Sequence, residues 1–191
     1  MPDKPTYLGL LNAIALVETR AHAYLSAWAD VTPSPEVRSV LVTIAAREGE
    51  HGMSFAKRIN ELGFELREAD DPNFDKQMEI ARSAQGDLDK IEALGLLKYC
   101  TDGEPDVFDG FFADHSIDIR TGELLGRYIA EERDTLRILQ GCQHQLRNQS
   151  TTEVSESDRL KALEDKIDAV CRGVEELRQI VCAQAMPTNR V

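Results

Sequence analysis

Ala46-Arg-Glu48-Gly-Glu-His51 is the stretch whose reading decides the fold. Glu48 and His51 stand one helical turn apart and share a face with Val37, Leu41, Ile44, Phe55 and Leu62. A carboxylate and an imidazole therefore point into a core with metal-ligand spacing. Upstream, Glu18 falls on the apolar face of Leu11, Ile14, Ala21 and Leu25, where an unpaired carboxylate costs on the order of 2–7 kcal/mol. A core accepts such acids when they are paired, protonated or bound to a cation, and a carboxylate–histidine set suits iron, manganese or zinc.

Working outward, the pattern predicts an all-α, up-down four-helix bundle followed by a C-terminal coiled-coil helix. The first helix is expected from Thr6, as N-cap, to about Trp28. Ser34-Pro35 starts the second, which Gly63 closes. A third helix is expected from Phe74 through Leu88 and Ile91 to Gly95, with a break near Gly86; it turns Glu92 inward, with Asp89 as the competitor. Thr101 to His115, with Val107, Phe108, Phe111 and Phe112, reads as a loop or short helix tucked against the bundle. The fourth helix, about Ile117 to Leu146, carries the stripe Leu125, Tyr128, Ile129, Glu132, Leu136 and Leu139.

These elements give a bundle over residues 1–148, a polar linker over 149–158, a coiled-coil helix over 159–185 and a tail over 186–191. Leu160, Leu163, Ile167, Val170, Val174, Leu177 and Val181 alternate at spacings of three and four, a heptad seam that turns polar at Gln184. With Leu160 at position a, the a sites lean to β-branched residues, which favours a parallel two-stranded coil and hence a homodimer or higher homo-oligomer. Folding back as a fifth helix is the alternative.

Leu41-Val-Thr-Ile44-Ala-Ala-Arg-Glu48-Gly-Glu-His51 and Leu125-Gly-Arg-Tyr128-Ile-Ala-Glu-Glu132-Arg-Asp-Thr135 share their apolar spacing and their inward acid, as a duplicated helix pair would. Thr135 occupies the place of His51. Together with Val17-Glu18-Thr-Arg-Ala21, these residues resemble the rubrerythrin-like branch of the ferritin-like superfamily, most clearly over Leu10 to Gly63. The resemblance implies two metal ions, commonly iron with manganese as the alternative, bridged by carboxylates, and reaction with dioxygen or peroxide or the oxidation of iron. Carried over by position, it implies Glu18 as a terminal ligand, Glu48 as a bridging one and His51 as the imidazole, with Glu92 and Glu132 in the equivalent acid places. Asp134, three residues after Glu131, offers an all-carboxylate alternative if the register shifts by one. Tyr24 and Tyr128 are expected near the site. No Cys-x-x-Cys pair supplies an electron relay, so turnover would draw on an external donor.

Plainer readings stand beside this one. An acid and a histidine one turn apart also make a simple local pair, His22 reads as a hydrogen-bonded histidine or a substitute ligand, and Arg47 or Arg133 could neutralise the acids. A non-catalytic oligomeric scaffold with a degenerate site is the second functional class; a zinc or manganese hydrolytic or catalase-like site is a third. The net charge of −12 opposes nucleic acid and anionic membrane surfaces. No apolar run reaches the roughly 20 residues that span a bilayer, and the N-terminus lacks a leader pattern, so a cytoplasmic location is expected. Cys100, Cys142, Cys171 and Cys182 are expected to be reduced thiols.

Overall fold

The computed structural model describes residues 4–97, 108 and 110–184, and these contain helices and no strand. The helices are α1 (Leu8–Val31), α2 (Pro35–Glu61), α3 (Phe74–Arg82), α4 (Asp87–Ala93) and α5 (Ile119–Gln184). Two compact units, residues 1–146 and 147–191, divide the chain. The helical backbone of α5 includes residues 149–158, where the sequence suggests a polar linker. The tail 186–191, Cys100 and Val107 lie outside the described residues.

Helix ends follow local chemistry. Ser34 accepts the Val37 amide at 3.2 Å, with Pro35 in the first turn, which satisfies one otherwise unpaired amide and places proline where its missing N–H does no harm. At the other end of α2, Gly63 adopts φ +85°, and the amides of Gly63 and Phe64 turn back to the carbonyls of Asn60 and Ile59. This is a Schellman cap, which a residue with a Cβ enters only with strain. The start of α1 departs from expectation. Tyr7, without a side-chain cap, precedes the helix, while the Thr6 hydroxyl bonds the Asp114 carboxylate and contacts Ser116, tying the N-terminus to the segment before α5.

Helices α1 and α2 are antiparallel, since Thr19 approaches Gly52 while His22 reaches Ala45. Likewise Arg47 and Arg58 of α2 reach Thr135 and Thr121 of α5, in reversed order. Apolar side chains gather in two clusters. One holds Leu25, Trp28, Leu41, Ile44, Ile91 and Leu139; the other holds Leu11, Ile14, Phe55, Ile59, Leu125 and Ile129. In sequence, Glu18, Glu48 with His51, and Glu132 fall between the contributions of each helix to these clusters. The polar side chains thus form a layer with apolar packing on both sides.

The third rod is not one helix. It ends at Arg82, and α4 restarts after Ser83–Gly86 with a different phase, so that Lys90 and Ile91 are its buried residues. Lys90 donates from Nζ to the Ala81 carbonyl at 3.0 Å and sits over the Trp28 ring. Trp28 and Thr32 in turn donate to the Asp87 carboxylate, each at 2.7 Å. These bonds fasten α4 to α3 and to the end of α1. In the second unit, Leu160, Leu163, Ile167 and Val170 are 59%, 56%, 58% and 65% exposed. No described helix is long and apolar enough to cross a membrane.

Candidate metal centre

Glycine brings the first two helices close. A Cβ on Gly52 would lie 2.6 Å from Thr19 Oγ1 and 3.3 Å from the Ala15 carbonyl, and one on Gly49 would meet the His22 ring at 3.0 Å. A side chain at Gly52 would displace Thr19 and one at Gly49 would press on the His22 ring, and these two glycines flank Glu48 and His51 in Glu48-Gly-Glu-His51-Gly52. The close approach sets Glu18 of α1 against Glu48 and His51 of α2, while α5 supplies Glu132. One ligand-capable atom from each of Glu18, Glu48, His51 and Glu132 lies within 4.8 Å of all the others.

The imidazole is held from outside this group. His51 Nε2 lies 2.7 Å from Glu131 Oε2, and the Tyr128 ring packs edge-on against the imidazole at 5.0 Å between centroids. His51 Nδ1 then faces the acids, 3.2 Å from Glu132 Oε1 and 3.7 Å from Glu48 Oε2. Nδ1 and Glu132 Oε1 are both buried, and their contact is an ion pair without a well-formed hydrogen bond. Tyr128 donates to Glu18 Oε1 at 2.8 Å, leaving the other Glu18 oxygen for the cluster. A histidine whose outer nitrogen is fixed by a carboxylate, with its inner nitrogen aimed at acids, is arranged as metal-ligating histidines are.

Electrostatics give the same picture of crowded like charge. Burial, with the Glu48 carboxylate beside it, pushes the Glu18 carboxyl up to about 10. Burial also raises Glu132, against the pull of His51. Glu48 resists its burial and stays below the usual carboxylate range because His51, Glu18 and Glu132 bond to it. Burial opposes charge on His51, but Glu132, Glu48 and Glu131 outweigh it and bring the imidazole up to about 10. Tyr128 and Tyr24 are held above the ordinary phenol range, first by burial and then by the nearby carboxylates. Without a cation, the cluster keeps its charge low by protonating Glu18 and His51; a bound metal ion would replace those protons.

The structure brings together Glu18, Glu48, His51 and Glu132, and leaves Glu92 outside that group. Glu92 lies on the exposed side of α4, where its carbonyl accepts the Gly95 amide in the helix cap. Its place one turn from both Leu88 and Leu96 turns it inward only if the helix runs on to Leu96, and α4 ends at Ala93 with Lys90 and Ile91 buried instead. Asp89 is exposed as well. His22 bonds the Ala45 carbonyl through Nδ1 at 2.7 Å and is not a member of the cluster. The shifted register, with Glu131 and Asp134 as ligands, is not adopted by the cluster either. Glu131 holds His51 and pairs with Arg127, while Asp134 pairs with Arg47 at 3.0 Å and with Arg137.

Arg47 explains the position without a second histidine. Its guanidinium donates to Thr135 Oγ1 at 2.9 Å and to the Glu131 carbonyl at 3.0 Å, beside its pair with Asp134. Arg47 therefore spends its donors on α5 rather than on the three clustered acids, and Arg133 is exposed. The role of Glu131 escaped the sequence reading, although an acid adjacent to Glu132 on the same turn, opposite a histidine, was its visible signal.

Beside the cluster is a cavity of about 550 Å³, with Glu18, Glu48 and Glu132 in its lining and walls that include Ala21, Tyr24, Gln77, Leu96 and Leu136. Comparison with known proteins supplies no relative: no family model matches the chain, and no curated protein or solved structure matches it significantly.

Proposed function

We propose that this chain is a ferritin-like metal-binding protein. Its four-helix bundle would hold one iron or manganese ion through Glu18, Glu48, Glu132 and His51 Nδ1, for reaction with dioxygen or peroxide or for handling iron. One observation carries this reading: a buried imidazole nitrogen and a buried carboxylate oxygen face each other at 3.2 Å without a well-formed hydrogen bond, within a group of four ligand-capable side chains. Such a buried charge cluster is poorly compensated by its own members, and a cation would satisfy the carboxylates and the neutral ring nitrogen together. The resemblance implies two ions, but the residues favour one, because Arg47 puts a permanent positive charge against Thr135, where a second imidazole is expected.

A bound ion of this kind would supply Lewis-acid and redox chemistry, with hard carboxylates favouring its higher-valent state. The chain's own groups have separable tasks. Glu131 fixes the imidazole so that Nδ1 is the free nitrogen, Tyr128 orients Glu18, and the apolar clusters on either side limit water. Electrons would come from an external donor.

Metal analysis of the full-length protein purified with iron and manganese available tests the reading. About one equivalent per chain is expected, falling below about a tenth in Glu48→Ala. Less than about half an equivalent, unchanged in that variant, rejects it. The scaffold alternative keeps one specific support, the apolar seam of the second unit. We propose a second copy of the chain as its partner, which is compatible with the metal reading.

A further inference from the structure

The acids of the cluster come from α1, α2 and α5. On the side of α3 and α4, the place the sequence suggests for Glu92, no carboxylate among the described residues joins them. That side is the cavity. Its walls there are Gln77 of α3 and the turn Ala93–Leu96 after α4, facing Ala21 and Leu25 of α1 and Leu136 of α5. Small side chains at Ala21, Ala93 and Gly95 leave the space that a bulky residue would fill. The volume of about 550 Å³ falls within the range of small-molecule sites, roughly 300–1,000 Å³. Aliphatic and aromatic side chains, Leu25, Leu96, Leu136, Tyr24 and Phe108 among them, lead to the acidic floor, which matches a ligand with an apolar body and one polar end.

The charge of the floor selects that end. Three carboxylates more than cancel a divalent ion, so an anionic head would enter a site already negative, in surroundings of low dielectric. We infer that the cavity binds an aliphatic molecule with an uncharged hydroxyl head, whose chain lies among Ala21, Leu25, Leu96 and Leu136 and whose O–H donates to the carboxylate floor of Glu18, Glu48 and Glu132. This inference rests on the metal reading above, since without a cation the same floor would favour an organic ammonium.

The experiment uses the full-length protein loaded with cobalt(II), whose visible bands report the ligand set, and measures binding of 1-butanol, 1-octanol, octanoate and octylammonium by calorimetry. Each buried methylene tightens binding roughly fourfold at most, so 1-octanol is expected to bind at least about tenfold more tightly than 1-butanol, and octanoate more weakly than 1-octanol. Val17→Trp, at the exposed rim of the cavity, and Ala21→Leu, in its wall, are expected to weaken 1-octanol at least about tenfold while the cobalt bands stay unchanged. Failure to bind cobalt at all overturns the metal reading, and this inference with it. Cobalt bound in full, but with equal affinity for the two alcohols or for octanol and octanoate, overturns the cavity assignment alone. Octylammonium bound most tightly by the cobalt-loaded protein overturns the uncharged head.

Discussion

Glu131 Oε2 sits 2.7 Å from His51 Nε2, and this contact decides which nitrogen of the ring faces the acids. When the ring is neutral and Nε2–H donates outward, Nδ1 is the lone pair left for the interior. Glu131 is thus a positioning residue, partly exposed and paired with Arg127. Replacing it with Ala is expected to weaken metal binding about 10–100-fold, read by competition with a chelator. Glu131→Gln keeps an acceptor for the ring and should lie much closer to the parent. Imidazole nitrogen shifts in the metal-free protein at alkaline pH should show a mixed tautomer only in the Ala variant. Equal losses in both variants would mean that the residue's charge, and not its hold on the ring, is what matters.

Gly52 fixes how near α1 comes to α2. Its missing Cβ leaves room for Thr19 Oγ1, which itself bonds the Ala15 carbonyl at 2.7 Å. Gly52→Ala is expected to destabilise the fold by about 1–3 kcal/mol through overpacking and to loosen metal binding, because Glu18 withdraws from Glu48. Adding Thr19→Ala removes the nearest obstructing atom but leaves the Thr19 amide nitrogen at 3.1 Å and the Ala15 carbonyl at 3.3 Å, so it should restore part of both. Denaturant unfolding with metal titration of the two variants decides this, and a double variant no better than the single one refutes the hydroxyl as the main obstruction.

The metal-free protein should lose stability as pH rises. Glu18 and His51 both have folded values raised to about 10. The contribution of Glu18 is therefore complete below its unfolded value and fades between about 4.5 and 10, and that of His51 fades between about 6.5 and 10. Glu48, held low, acts the other way and matters only in acid. Metal loading reverses the trend, because its ligands must shed their protons. The gap in Tm between loaded and metal-free protein is expected to widen from pH 6 to pH 9, and the slope of the metal-free protein to flatten in Glu18→Gln. A metal-free Tm that rises over this range counts against a proton-sharing cluster.

The parts of this architecture legible in the sequence are those set by local period and local chemistry. Ser34-Pro35 and Gly63 mark the ends of α2 because capping is a matter of a few adjacent residues. Glu18, Glu48, His51 and Glu132 stand out because each interrupts an apolar stripe. Glu92 lies elsewhere for a reason of the same kind: Leu88 and Leu96 share a face with it only if the helix continues, and α4 stops at Ala93, before the Gly95 turn, with Lys90 and Ile91 as its buried residues. Buried Lys90 could not be foreseen, since its partners, the Ala81 carbonyl and the Trp28 ring, become neighbours only through the break at Ser83–Gly86. The holding of Thr135 by Arg47 depends on the register of α2 against α5, which no single helix encodes.

That register makes the number of ions adjustable. Arg47 bonds Thr135 at 2.9 Å and so places its charge where another cation would have to sit. Thr135→His alone is expected to leave the stoichiometry at about one ion and to lower stability, because the new imidazole meets the guanidinium. Combined with Arg47→Leu, it should raise the stoichiometry toward two, measured by elemental analysis after extensive dialysis. If the combined variant stays at one ion, charge from Arg47 is not what limits the site.

The second unit poses a separate physical problem. Leu160, Leu163, Ile167 and Val170 repeat at three and four residues on one helix and are all more than half exposed, and a lone helix gains little stability in water unless its apolar stripe is covered. Self-pairing covers it economically, since a heptad seam is its own complement. Leu160 and Ile167 take position a, and Leu163 and Val170 position d, an arrangement that suits two parallel strands. In a parallel, in-register pair, Val170 faces its own copy closely enough for a disulfide, whose Cα atoms stand about 4.4–6.8 Å apart. Val170→Cys, in a background of Cys171→Ser and Cys182→Ser, is therefore expected to cross-link on mild oxidation to a dimer of unchanged helicity. The parent is expected to be a dimer by light scattering, and Ile167→Lys a monomer whose metal content equals the parent's. A monomer at all concentrations in the parent, or a dimer indifferent to Ile167→Lys, removes the seam as the contact between copies.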